Sequence, residues 1–247
     1  MSTVLLLHAG IADSRMWEPQ VAPLEAAGHR VHTPDLRGFG RRPAATEPFS
    51  HARDAEALLD GPTAVVGCSL GGRVALELAL LQPGLVERLV LIAPGLSGWE
   101  WSEETRRGWA EEEDAYERGE LEDAAEASVR MWVDGPRRSP DRVDPGLRQL
   151  AHNMILRSYV LDQETLGGAA DEMPALDPPI HERLGEIACP TLVLVGDEDV
   201  DDLRAIAAHV AAAVPGARLV EIPGTAHLPS LERPDLVNPL LLEFLSS

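Results

Sequence analysis

Val65 to Gly72 read V-V-G-C-S-L-G-G, an apolar run that passes through G-x-S-x-G and continues straight into the helical pattern Leu70 to Gln82. A serine in this setting occupies a sharp strand-to-helix turn that holds its hydroxyl exposed. Side chains larger than glycine at positions 67 and 71 would collide with neighbouring backbone. Ser69 is therefore the candidate covalent nucleophile. The bland alternative is a glycine-rich turn with an incidental serine. The two are separated by whether a base and a carboxylate occur where such a nucleophile needs them.

Outward from the elbow, six short apolar runs predict strands: Thr3 to Leu7, Arg30 to Thr33, Thr63 to Val66, Arg88 to Ala93, Thr191 to Val195 and Arg218 to Ile222. They are nearly continuous in Val, Leu, Ile and Ala rather than alternating, the pattern of parallel strands buried on both faces. Helical patterns lie between them, at about Arg15 to Ala27, Phe49 to Leu59, Leu70 to Gln82, Leu203 to Val214 and Pro234 to Leu245. This alternation predicts an α/β chain, a doubly wound parallel sheet with helices on both faces. It breaks once. Ser97 to Leu184 carries helical and loop signals without a convincing strand, so residues 97–185 read as a helical cap inserted into a core of 1–96 and 186–247. Met173 to Pro179 reads as the linker back to the core.

Bulk properties exclude several function classes. The 247 residues suffice for one core with an insertion, and the formal charge of −20 disfavours nucleic acid and anionic membrane as partners. All basic residues are arginine. Without lysine there is neither a Schiff-base amine nor a Walker A loop. No apolar run approaches the roughly 18 residues of a membrane span, Met1 to Leu7 is too short for a signal peptide, and Cys68 and Cys189 are the only cysteines. A cytoplasmic location without disulfides is the expectation.

A serine hydroxyl needs a base, and the base needs a group to hold its tautomer. His227, in P-G-T-A-H-L-P directly after the last strand, is the candidate base. It falls on the carboxyl edge of the sheet together with Ser69. His29, His51, His152, His181 and His209 lie in helices or cap loops, and His32 within a strand, so packing or surface roles suit them better. The third member should come from G-D-E-D-V-D-D after the penultimate strand. Asp199 is favoured, with Asp197 as the alternative or a turn former, and Asp201 or Asp202 reads as a cap for the helix from Leu203. Oxyanion donors would be the backbone N–H of Leu70 and that of Gly10 in H-A-G-I-A-D-S, with Ile11 next. His8 has no second ligand at metal spacing and reads as a support for that turn. No metal or cofactor is expected.

Together L-L-L-H-A-G with S-R-M-W, D-L-R-G-F-G, G-C-S-L-G-G, G-D-E-D and G-T-A-H-L-P-S-L-E-R-P resemble the α/β-hydrolase superfamily, in its order and over nearly the whole chain. The resemblance implies Ser69 as nucleophile, His227 as base, Asp199 as acid, and Gly10 with Leu70 as oxyanion donors. The last motif and the capped layout are similar to β-ketoadipate enol-lactonases and related small esterases. Those proteins carry a hairpin before the first strand seen here, so the sheet should lack its first two strands, and the cap has R-M-W at Arg130 to Trp132 in place of R-W-F. Serine at the elbow sets the chain apart from the dehalogenases and epoxide hydrolases, which use aspartate, and from the dienelactone hydrolases, which use cysteine. Cys68 should face the packed side.

The expected activity is hydrolysis of a small, mainly apolar ester or lactone through an acyl-enzyme. C–C hydrolysis of a meta-cleavage product and a triad-bearing ligand sensor are the alternatives. Trp132, Arg130 and Met154 are the candidate substrate contacts from the cap, and Arg130 could pair with one carboxylate. A homodimer through an exposed sheet edge is left open.

Overall fold

The computed structural model describes residues 2–165, 170, 172–173 and 176–246. Of the Met173 to Pro179 linker, Pro174 and Ala175 lie outside the described residues. Six strands, β1 (Thr3–Leu7), β2 (Arg30–His32), β3 (Thr63–Cys68), β4 (Val86–Ile92), β5 (Thr191–Gly196) and β6 (Arg218–Ile222), form one sheet in the order β2-β1-β3-β4-β5-β6. Every pairing is parallel, with Leu5 opposite Val65, Val66 opposite Val90, Ile92 opposite Leu194 and Val193 opposite Leu219.

The pleat sorts the apolar runs onto two faces. Leu5, Leu7, Val65, Leu89, Leu91, Val193 and Val195 point to one side, where they meet α2 (His51–Glu56), α3 (Leu70–Leu81) and α7 (Asp201–Ala213). Val4, Leu6, Ala64, Val66, Cys68, Val90, Ile92, Leu192 and Leu194 point to the other, against α1 (Glu18–Ala26) and α9 (Pro234–Ser246). The inner strands β1, β3, β4 and β5 are covered on both faces and have no solvent side to show in an alternating pattern, which is why their sequences are continuous. The edge strands β2 and β6 are partly exposed, contrary to the expectation for all six. Cys68 is fully buried as expected, while Cys189 is only half-buried.

Between β4 and β5 the described residues hold α4 (Glu103–Glu117), α5 (Leu121–Ser128), a π-helical segment (Val129–Asp134) and α6 (Pro145–Glu164). A short helix α8 (Pro229–Glu232) follows the last loop.

Several boundaries moved. β3 runs two residues further, to Cys68, and β4 starts two earlier, at Val86. The expected Arg15 to Ala27 helix is a 3-10 turn at Ser14–Trp17 capped by Asp13, followed by α1 with Pro19 in its first turn, where a missing N–H costs nothing. α2 starts only at His51, because Ser50 caps it and Phe49 is drawn into a β-bridge with Glu172, and it ends at Glu56 with Ala57 as its C-cap. Asp201 and Asp202 are not caps: Val200 holds that position and both aspartates lie inside the first turn of α7.

The two elbow glycines behave as the motif requires. A Cβ on Gly67 would lie 2.1 Å from the Gly71 carbonyl oxygen, and one on Gly71 would lie 2.1 Å from the Leu7 oxygen. Both obstacles are backbone and cannot swing aside. Gly71→Ala is expected to cost about 3 kcal/mol, seen as a fall in Tm of roughly 6–12 °C for a chain of this size. A melting curve matching that of the unmodified protein would refute the contact.

Candidate active site

At the carboxyl end of β3 the chain turns through Ser69 at φ +52°, a left-handed conformation unusual for a residue with a Cβ. The surroundings fix it there. The Ser69 N–H donates to the Ile92 carbonyl at 2.9 Å, and its carbonyl accepts from the N–H groups of Arg73 and Gly95, each at 2.9 Å. Gly71 N–H donates to the His8 carbonyl at 3.0 Å, tying the elbow to the loop after β1. Burial pushes the neighbouring Cys68 thiol up, so it stays protonated and inert.

Two loops bring the candidate acid and the candidate base together. Asp199, after β5, is fully buried, and its Oδ2 accepts from Nδ1 of His227, after β6, at 3.0 Å. Asp199 Oδ1 accepts from the Val200 N–H at 2.8 Å. Asp197 is committed elsewhere: its Oδ1 accepts from the Gly224 N–H at 2.6 Å, lacing the β5 and β6 loops together as a turn former. Glu198 N–H to Thr225 carbonyl, 2.9 Å, adds a second stitch. With Nδ1–H directed at a carboxylate, Nε2 of His227 is left as the basic nitrogen.

The segment after α5 grips both loops. The His227 N–H donates to the Trp132 carbonyl at 3.2 Å, and the Trp132 ring lies 4.8 Å from the imidazole, tilted by 40°. Arg137 donates to the Asp199 carbonyl at 2.8 Å. Arg138 donates to the carbonyls of Val133, Asp134 and Gly224 and forms a 2.6 Å ion pair with Glu232, whose other oxygen accepts from the Ala226 N–H. Burial pushes the Glu232 carboxyl up while Arg138 pulls it back. Arg137, Arg138 and Glu232 were not found from sequence. Only Glu232 carried a signal, its place in the closing H-L-P-S-L-E-R-P motif.

Ser69 and His227 open onto one cavity of about 470 Å³, whose wall includes Gly10, Leu70, Trp109 and Trp132. Gly10 abuts the elbow, since a Cβ built on it would lie 3.6 Å from Leu70 Cβ. Leu70 opens α3, and the first N–H groups of a helix have no partner within it. Trp101, Trp109 and Trp132 follow one another along the roof, with ring centroids 4.8 and 6.2 Å apart. His8 supports the turn as expected: its Nε2 accepts from the Leu36 N–H at 2.9 Å, which forces the proton onto Nδ1, 2.8 Å from the Ala9 carbonyl oxygen. Burial lowers its pKa, keeping that tautomer neutral.

Two cap residues expected at the cavity are not there. Met154 is buried in the cluster on the α1/α9 face of the sheet, with Ala151 and Ile155 of the same helix. Arg130 is more than half exposed and leans toward Glu126 at 3.9 Å. Trp132 alone of the three borders the cavity. Arg73, one turn past Ser69, was missed; it lines the cavity with its guanidinium held by Glu77 and Glu172. Among the described residues no group of three or more His, Cys, Asp or Glu is placed to hold a metal ion, and no helix is long and apolar enough to cross a membrane.

Comparison with known proteins extends these observations over the whole chain. The protein named "Putative carbamate hydrolase RutD" of Azorhizobium caulinodans is 29% identical over 98% of this chain and 91% of its own length. "Putative non-heme bromoperoxidase BpoC" of Mycobacterium tuberculosis is 30% identical over 94% of this chain and 89% of its own. Among solved structures, a thermophilic esterase from Thermogutta terrifontis superposes with a TM-score of 0.78 at 27% identity, covering 100% of this chain and 90% of that one. The family model described as alpha/beta hydrolase matches residues 4–240, and the chain belongs to that family.

Proposed function

We propose that the protein is a serine hydrolase of small, mainly apolar carboxylic esters or lactones, with Ser69, His227 and Asp199 as its triad. The observation that carries this reading is the Asp199–His227 hydrogen bond, closed over the cavity that also receives the strained Ser69. A wall of tryptophans suits an apolar substrate. The likeness to an esterase and to a protein named for carbamate hydrolysis supports cleavage at a carboxyl-type carbonyl.

In this mechanism the Ser69 Oγ attacks the substrate carbonyl while Nε2 of His227 takes its proton, and Asp199 holds the imidazolium through Nδ1–H. The N–H groups of Gly10 and Leu70 receive the developing oxyanion. His227 passes its proton to the departing alkoxide, which leaves an acyl group on Ser69. Water then attacks that acyl carbon with His227 again as base, releasing the acid and restoring the serine. Residues 97–185 act as the cap that shapes the cavity, with Trp132 reaching the catalytic imidazole.

The test is a panel of p-nitrophenyl esters and lactones run beside a fluorophosphonate probe and peptide mapping. The expected result is sustained turnover with label on the peptide that contains Ser69. Label on another residue, or tight ligand retention without turnover, would contradict the reading, the latter in favour of a sensor.

A further inference from the structure

A second chamber of about 570 Å³ adjoins the cavity at Ser69 and shares Gly10, Trp109 and Glu112 with it. Its walls combine two chemistries. Phe39, Phe49, Tyr116 and Tyr159 join Trp109 as aromatic surfaces, and the carboxylates of Glu112, Glu113 and Asp162 lie among them. Tyr159 donates to Glu112 at 2.6 Å, Tyr116 donates to Asp162, and the two phenol rings are 5.2 Å apart. None of the three carboxylates is in an ion pair among the described residues. Among the described residues the one cation on the wall is Arg37, which donates two hydrogen bonds to Asp54 and lies 5.9 Å from the centroid of the Phe49 ring.

A carboxylate without a cation beside apolar rings is unfavourable, and burial accordingly pushes the Glu112 carboxyl up while the Tyr159 hydroxyl pulls it back. His51 is also on this wall, 4% exposed, with its Nδ1 lacking a hydrogen-bond partner among the described residues. Burial lowers its pKa to about 4, so it adds no positive charge at neutral pH. Negative charge at the edge of several aromatic faces is the arrangement that attracts an organic cation, through Coulomb attraction and the ring quadrupoles together. A neutral apolar group would use the rings and leave the carboxylates desolvated and unpaired. An anionic group would be repelled.

We propose that the second chamber receives a cationic end, a protonated amine or alkylated ammonium group, of the substrate whose carbonyl lies at Ser69. The proposal rests on the hydrolase reading above and narrows its substrate class to amino or ammonium esters.

The experiment uses two butyrate esters of identical skeleton, one ending in trimethylammonium and the other in tert-butyl, at about 0.15 M salt so that the chain's overall charge is screened. The expected kcat/KM favours the cationic ester by about tenfold. Glu112→Gln with Asp162→Asn reduces that ratio below about twofold, both replacements keeping an oxygen for the tyrosine hydroxyls. Glu87→Gln, at the far end of β4, leaves it unchanged. Equal rates, a preference for tert-butyl, or a tenfold preference that survives the double substitution would each overturn the proposal. Calorimetric binding of both esters to Ser69→Ala separates the two readings. Cation-selective binding that needs Glu112 and Asp162, without turnover by the unmodified protein, removes the hydrolase reading and keeps the subsite. Turnover of both esters without charge preference does the reverse.

Discussion

Ser69→Ala lowers kcat/KM toward p-nitrophenyl butyrate by roughly a million-fold, the size of loss found when the triad nucleophile of another serine hydrolase is removed. Ser69 lines the cavity, while its backbone groups are all used to hold the turn, N–H to Ile92 and carbonyl to Arg73 and Gly95. Alanine keeps those three hydrogen bonds and meets the same positive φ, so the fold is retained. The loss is therefore in the chemical step, and a thermal melt within a few degrees of the unmodified protein shows that it is not unfolding. A variant with more than a tenth of the original rate would place the nucleophile elsewhere.

Asp199→Asn lowers kcat by about four orders of magnitude, as the equivalent exchange does in another serine hydrolase, and the local hydrogen bonds say why. The Val200 N–H donates to Oδ1 at 2.8 Å and so requires an oxygen at that position. The asparagine amide NH2 must then occupy the place of Oδ2, facing His227 Nδ1. Two donors cannot meet, so the imidazole moves its proton to Nε2, the nitrogen that has to accept from Ser69. Asp197→Asn is the matched control, because an amide oxygen accepts from the Gly224 N–H as a carboxylate does. It should change kcat less than tenfold. Equal losses in the two variants would remove Asp199 from its role.

The elbow, the strand after it and the acidic and histidine loops were legible in sequence because each rests on short-range geometry: glycine where a Cβ has no room, apolar runs where both faces are covered, polar residues just beyond strand ends. The choice of Asp199 over Asp197 was not fixed by spacing, since both lie within a few residues of the strand. It turned on which carboxylate the Gly224 N–H engages, a contact between loops that composition does not encode. The readings of Arg130 and Met154 as cavity residues failed for a related reason, while Trp132 does border the cavity. Arg130 and Trp132 stand two apart on a helical turn and so face nearly opposite ways, one to solvent and one to the imidazole. Met154 sits on the side of α6 that packs on the core, and nothing in its immediate sequence shows which side that is. Arg138 and Glu232 are 94 residues apart and only the folded chain brings them together.

That last pair has a bearing on protein engineering. Because Trp132, Arg137 and Arg138 brace the loops of His227 and Asp199 directly, exchanging the whole insertion with that of a relative would discard the brace along with the pocket. Chimeras that splice outside residues 129–138, leaving this short stretch with its native scaffold, should recombine specificities without resetting the machinery beneath them.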